Sequence, residues 1–427
     1  MRPARDPLRL HIVPLIVTAA IPFGIVVAAA CGASDSDRSV AIGSGRTDSP
    51  GVQVISNTVA ALPRGELVQP AKHLFGSEAE GPELFGGVAD AQLHPNRSLW
   101  IAERQTQEIR VFDSRSGAHL FTIGGRGDGP GDFQRSLFLG FDAGGYAYVY
   151  DHRHRRISVF SEHGEFQRTD LMPSSLGIGP RPLHVTRTGT LLGQIPRGTG
   201  RMPIDGSTAR DTVKIWTMPL DGKVPKLVWE APGALWFFQD GRSVVVPYTG
   251  NLPRPYAGGL LFGFWDDRIY VTDAAGEASY FVYGPAGLER KVEIDRAFRQ
   301  AGDFSATMFV EYMRQRRFPE SLLEIYEDHL TDMPVPKARR AWDALVVTDE
   351  GGTWLLRADN SEAATVGAPE EDRVWDVFDA EGVFVGHVRL PPDVGLAQVS
   401  GQSAVTIVSD ELGRVTVAIH DVRWIGP

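Results

Sequence analysis

Two stretches of the chain align without a gap at a spacing of 48 residues, and no other feature restricts the fold as strongly. Gly81, Pro82 and Phe85 fall on Gly129, Pro130 and Phe133; Trp100 and Ile101 fall on Tyr148 and Val149; Glu103 falls on Asp151. Ile109, Val111 and Phe112 then fall on Ile157, Val159 and Phe160, after which a one-residue slip pairs Gly117 with Gly164. A unit of this period cannot bury its apolar face alone, so copies must stack, and the length is in the range of propeller blades. Each copy alternates short apolar runs with polar turns: Leu99 to Ala102, a turn of about six residues, Ile109 to Phe112, and a tight turn at Asp113 to Gly117. That is the pattern of an antiparallel meander of about four strands.

The same grammar recurs more loosely. Gly189 to Leu192 with Val213 to Trp216, Ile269 to Asp273 with Tyr280 to Tyr283, and Gly352 to Leu356 with Val374 to Phe378 make a third, fourth and fifth unit. Val405 to Val408 with Val415 to Ile419 make an incomplete sixth, and a strand from Val52 to Val68 would complete it, closing a ring without exposed edges. The 47 Gly, 29 Pro and forty aromatic residues fit many short strands joined by turns. The expected fold is therefore all-β, a six-bladed β-propeller over residues 51–427. One stretch, about 294–332, is rich in helix formers, with Pro319 and Glu320 suited to a first turn, and predicts a short helical insertion between blades 4 and 5.

At the N-terminus, Arg2, Arg5 and Arg9 precede an apolar segment from Ile12 to Ala30, the layout of an export signal. Ala28, Ala29 and Ala30 lead into Cys31, the sole Cys, and this junction resembles the lipobox of bacterial lipoproteins. The resemblance implies removal of residues 1–30 and lipidation of Cys31, which would anchor the chain in a membrane of the bacterial envelope on its extracytoplasmic side. Residues 31–50 are small and polar and read as a tether. A single Cys also excludes an internal disulfide framework and any multi-thiolate metal site. The formal charge is −10, and −12 without the first 30 residues, so no general field attracts nucleic acid.

The segment Gly124 to Phe133, followed by Phe141 to Val149 and Asp151 to Phe160, resembles the NHL-type repeat of envelope-anchored bacterial six-bladed propellers, whose blades open with a Gly-Pro-Gly-acid-Phe loop. Asp151, Arg156, Ile157, Val159 and Phe160 match the repeat's acid, Arg, Ile, Val and Phe, and His154 stands where Asn is usual. The preceding copy keeps Glu103 but has Thr106 and Glu108 at the other two polar positions.

Glu103, Asp151 and Asp273 occupy one repeat position in three units, directly after an apolar strand. In a closed ring they would lie at equal height and could hold a hard cation such as calcium; each could equally cap its own turn by accepting backbone N–H bonds, the commoner role of Asp. The run Asp151-His152-Arg153-His154-Arg155-Arg156 is the densest basic stretch. It reads either as a solvated turn or as an anion clamp built by His152, Arg153 and Arg155. The loop Gly124 to Gly131 lacks the Gly-Lys-Ser/Thr ending of a phosphate loop, and neither a Gly-x-Ser-x-Gly elbow nor a His-Glu-x-x-His motif occurs. Three functions remain: a lipid-anchored binding or interaction module for an envelope protein, peptide or glycan, a metal-dependent hydrolase or lyase with its site in the propeller channel, and a purely structural envelope protein with no small ligand.

Overall fold

The computed structural model describes residues 44–49, 51–58, 63–76, 81–172, 181–194, 208–220, 224–237, 260–272, 277–295, 314, 320, 323, 341–358, 372–410 and 413–426. The chain divides into compact units 1–39 and 40–427, and all described residues belong to the second. They form an all-β, propeller-like arrangement of five hydrogen-bonded sheets.

The two copies of the 48-residue repeat are two four-stranded meanders in matching register. The first sheet comprises Val88–Leu93, Ser98–Glu103, Glu108–Asp113 and His119–Gly124; the second comprises Ser136–Phe141, Ala147–Asp151, Arg156–Phe160 and Phe166–Leu171. Arg181–Val185, Leu191–Gln194, Thr208–Met218 and Lys226–Phe237 make the third. The fourth runs from Phe262–Trp265 through Arg268–Thr272 and Ser279–Gly284 to Gly287–Asp295. The fifth is nine-stranded: Trp342–Val347, Thr353–Arg357, Arg373–Phe378 and Phe384–Leu390 connect through Arg64–Leu67 to Val415–Ile425, Ser403–Ser409 and Val394–Ser400, and His73–Phe75 joins Val415–Ile425 off this path.

Apolar cores lie between successive meanders rather than within one. Trp100 and Val111 pack with Phe138 and Val149, and the repeat partner of Trp100, Tyr148, packs with Val185 and Leu191 of the third sheet. Ile215 and Trp229 meet Ile269 and Val271; Tyr280 and Val292 meet Trp342 and Phe378; Trp375 and Val388 meet Val399 and Val422. Val405 and Val417 then return to Leu99 and Phe112 of the first sheet, so the succession closes on itself. Each such large side chain contributes roughly 1.5–3 kcal/mol by burial. Trp100 is fully enclosed, and its Nε1 donates to Ser98 Oγ at 2.8 Å, so no polar atom of the ring is left without a partner.

The N-terminal stretch meets the expected closing strand in part: Arg64–Leu67 pairs with the final strand, whereas Val52–Thr58 does not. Val52–Thr58 pairs in parallel with Gly287–Asp295 and carries Ser44–Ser49 on its other side. Arg64–Leu67 pairs with Val422 to Ile425 and in parallel with His387 and Val388, and it is His73–Phe75 that pairs with Val417 to Ile419. One segment thus covers strand edges at three places, which suits the penalty for leaving an edge open. Asn57 secures it from inside: the buried amide donates to the carbonyls of Glu293 and Gly382 at 3.0 Å and accepts the N–H of Phe384 at 2.8 Å. A three-residue strand such as His73–Phe75 is too short to display alternation, which is why the sequence points to its longer neighbours instead.

The expected helical insertion at about 294–332 lies outside the described residues except at its first two residues and at three further positions. Ile294 and Asp295 finish a strand, and Arg314, Glu320 and Leu323 are helical, with Leu323 fully buried. Among the described residues no helix is long and apolar enough to cross a membrane.

Candidate functional site

In an up-and-down meander the first-to-second and third-to-fourth turns lie on one side, and the second-to-third turns lie on the other with the connections between sheets. Glu103 and Asp151 therefore share a side. Each ends the second strand of its sheet, opposite Glu108 and Arg156 respectively, and each is followed by a four-residue turn. The fourth turn residue, Gln107 or Arg155, is left-handed, with φ of 62° or 52°.

Both carboxylates are buried and fully engaged with their own surroundings. Glu103 accepts the N–H of Gly87 at 2.9 Å and both the N–H and hydroxyl of Thr106, at 2.5 and 2.7 Å. Asp151 accepts the N–H groups of Gln134 at 3.0 Å, Arg135 at 3.2 Å and Arg153 at 3.0 Å, and its Oδ2 lies 2.6 Å from His154 Nδ1. Burial alone would raise both carboxyls. The Thr106 bonds for Glu103, and His154 with the three backbone donors for Asp151, outweigh it and hold both below the ordinary range. Each acid thus ties its turn to the residues that enter the sheet's inner strand.

The flanking groups extend this tie. His154 Nε2 reaches Asp128 Oδ1 at 2.9 Å, so the imidazole bridges two carboxylates. Arg156 donates to the carbonyls of Gly129 at 2.7 Å and Asp132 at 2.9 Å, gripping the Gly-rich loop. The first sheet does the same with an arginine two residues further along: Arg110 donates to the carbonyls of Pro82 at 3.0 Å and Leu84 at 2.6 Å. Reading the repeat position by position misses Arg110, because its spacing from Arg156 is not the repeat length. In the fifth sheet, Arg357 ends the second strand instead of an acid, and its Nε and Nη2 pair with the buried Asp376 at 2.8 and 2.7 Å.

Of the remaining sequence candidates, His152 and Arg153 are exposed in the turn and Arg155 is half-buried. The His152 ring lies edge-on to Tyr150 at 6.1 Å. Arg155 Nη2 is enclosed without a hydrogen-bond partner among the described residues. Asp273 and Cys31 lie outside the described residues. The structure thus brings His152, Arg153 and Arg155 together around Asp151 and places Glu103 at the matching turn of the neighbouring sheet. Among the described residues no group of three His, Cys, Asp or Glu side chains could hold a metal ion.

Two features have no signal in the sequence pattern. His184, on the third sheet's inner strand, stacks on Phe264 with centroids 5.5 Å apart, and burial pushes its imidazole down to about 4. A cavity of about 180 Å³ opens on the opposite side from the acid turns, where Trp354, Val377 and Val422 line it and Glu350, Gln402 and Trp424 stand among its walls.

No family model matches the chain, and no curated protein does either. Among solved structures, a member of the DUF4221 family from Bacteroides vulgatus is similar at 10% identity with a TM-score of 0.50, over 85% of this chain and 99% of that one. A protein of Bacteroides fragilis thought to be exported follows at 11% identity, TM-score 0.45, over 87% and 99%. A virginiamycin B lyase from Staphylococcus aureus has 11% identity, TM-score 0.38, over 79% and 95%. At such identities the likeness concerns the fold alone.

Proposed function

We propose that this chain is an exported six-bladed β-propeller of the NHL type, anchored through a lipid on Cys31, that binds an envelope protein, peptide or glycan by the side carrying the acid turns. Six blades follow if the nine-stranded sheet is divided at Arg64–Leu67, since four strands from 342 to 390 and three from 394 to 425 completed by His73–Phe75 add two meanders to the other four. Export and anchoring rest on the arginines, apolar segment and sole Cys of the first 31 residues.

One observation carries the binding role. Glu103 and Asp151 are engaged by backbone donors together with Thr106 and His154, while the neighbouring Arg135, Arg153 and Arg155 form no ion pair among the described residues. Rigid turns that display unpaired cationic side chains are suited to recognition, and binding groups collect on loops held by a stiff scaffold. The test is capture of partners from detergent-solubilised envelope by the chain, compared with Arg135→Ala/Arg153→Ala, and mass spectrometry of the membrane-extracted protein. The reading expects a specific partner lost in the double variant and acyl groups on Cys31. Equal capture by both chains, or an N-terminus elsewhere with no acyl group, contradicts the corresponding part.

A further inference from the structure

Trp100, Tyr148, Tyr270 and Trp354 stand at one repeat position, three residues before Glu103, Asp151, Asp273 and Arg357. The polar atom of the first three is satisfied beside the turn that precedes the strand or by the neighbouring one. Trp100 Nε1 donates to Ser98 Oγ at 2.8 Å, the Tyr148 hydroxyl to Asp142 Oδ2 at 3.0 Å and the Tyr270 hydroxyl to the Gly351 carbonyl at 3.1 Å. Trp354 lacks such an acceptor because the counterpart of Ser98 is Gly352, where a Cβ would stand 2.9 Å from the carbonyl oxygen of Phe378. Trp354 is only 3% exposed, and its Nε1 has no hydrogen-bond partner among the described residues. Unlike the Nε1 atoms of Trp216 and Trp375, it is not sealed in.

Trp354 lines the cavity of about 180 Å³ that lies between the strands of 342–390 and those of 394–425. At about 30 Å³ for each water, that is room for roughly six water molecules. Glu350 and Asp379 bring carboxylates to its wall and Gln402 an amide, and no Lys, Arg or His lines it. Glu350 forms no ion pair and no side-chain hydrogen bond among the described residues. Asp379 gives its Oδ1 to the N–H groups of Glu381 and Val383, at 3.0 and 2.8 Å, and its Oδ2 has no partner there. Trp424 and three valines make the rest of the wall apolar. The frame is fixed from both sides. Asp349 accepts Trp265 Nε1 on its carbonyl at 2.7 Å, and Ser400 Oγ and the Gly401 N–H on its carboxylate at 2.5 and 3.3 Å. The Gln402 carbonyl accepts the Val422 N–H at 2.7 Å. A wall held this way needs little ordering when a ligand enters.

An ionised carboxylate only accepts and an indole N–H only donates. A cation would therefore leave Trp354 without an acceptor, and an anion would oppose both acids. Hydroxyl groups donate and accept at once. Water answers the polar half of the wall alone, whereas a sugar ring also carries an apolar C–H face for Trp424 and the valines. We infer that this cavity binds one sugar ring of a glycan, with hydroxyls bonded to Glu350, Asp379, Gln402 and Trp354 Nε1. Apolar walls with a few convergent polar groups are the usual make-up of a small-ligand site. The site goes beyond the function proposed above, since it lies on the opposite side from the acid turns and uses none of their arginines.

The experiment is saturation-transfer NMR with titration of the full chain, in a detergent without a sugar headgroup, using glucose, galactose, mannose and N-acetylglucosamine. Choline serves as the cation control, because indole faces also attract quaternary ammonium groups. At least one sugar should bind saturably, and Trp424→Ala and Glu350→Ala should each weaken it at least about ten-fold. Both side chains are exposed, and Glu350→Ala keeps the test open if Trp424, whose ring lies against Gly65 and Gly386, proves necessary for folding. Arg135→Ala/Arg153→Ala should bind the sugar as the unaltered chain does, even where it loses an envelope partner. Failure of all four sugars to bind, binding unchanged in both folded cavity variants, or saturable binding of choline in place of any sugar would overturn the site. Sugar binding lost in the arginine variant would overturn its placement in this cavity.

Discussion

The first two sheets solve one problem with partly different residues, and the comparison separates scaffold from function. At the end of the second strand, Glu103 and Asp151 both gather backbone N–H groups. Arg110 and Arg156 both clamp the preceding loop by its carbonyls from positions two residues apart in the repeat. Where different residues arrive at the same bonds, the bonds are what the fold requires. At the fourth turn position the bonds differ: Gln107 links two sheets, and Arg155 leaves a donor unmatched. Among the described residues the link that Gln107 makes between sheets is therefore not repeated at Arg155.

The largest effect should come from the shared acid. Asp151→Ala would leave the N–H groups of Gln134, Arg135 and Arg153 without their acceptor, and loss of one partner from such a buried charged network costs about 3–5 kcal/mol. Urea unfolding should show a correspondingly lower midpoint at unchanged slope. A loss below about 1 kcal/mol, the range of exposed ion pairs, would mean the carboxylate is not structural.

The clamps should follow. Arg110→Ala and Arg156→Ala each remove hydrogen bonds from a charged donor to loop carbonyls, worth about 1.5–3 kcal/mol, and the two should cost similar amounts despite their different places in the repeat. A large cost at Arg156 with none at Arg110 would show that the two clamps are not equivalent.

Acid should separate the third sheet from the first two. His184 is held neutral, with its imidazole at about 4 against 6.5 for a free one, so the unfolded chain binds the extra proton between these values. Its contribution is complete above about 6.5 and is lost as pH falls toward about 4. Glu103 and Asp151 are lowered, so theirs is present above the ordinary carboxylate range and lost only as pH falls through their depressed values. Unfolding curves measured from pH 7 downward should therefore lose stability in two stages. His184→Phe should diminish the upper one, to which His387 and His420, also lowered by burial, contribute, and Asp151→Asn should diminish the lower; a single stage unaffected by either would contradict these assignments.

Much of this was legible in the residues. The strands of the first two sheets coincide with the apolar runs that define the repeat, and the later units appear where Val213 to Trp216, Tyr280 to Tyr283 and Val374 to Phe378 place them. Glu103 and Asp151 were recognisable as equivalent, but their partners were not, since Gly87, Gln134 and Arg135 donate through the main chain, which carries no side-chain signature. Arg110 was hidden because side chains two apart on a strand share a face, so one can replace the other without preserving the spacing. His73–Phe75 was hidden by its length, and the unmatched Arg155 by chemistry that shows only when its repeat partner's bond to Ser136 is known.

The most direct test of the central claim is the thermal midpoint of Arg155→Gln beside that of the unaltered chain, without added anion. If Arg155 serves binding rather than folding, replacing an unmatched buried donor by the residue that bridges the preceding pair of sheets leaves the midpoint unchanged or raises it. A clear fall in the midpoint would contradict the account, because Arg155 would then belong to the scaffold as firmly as Asp151.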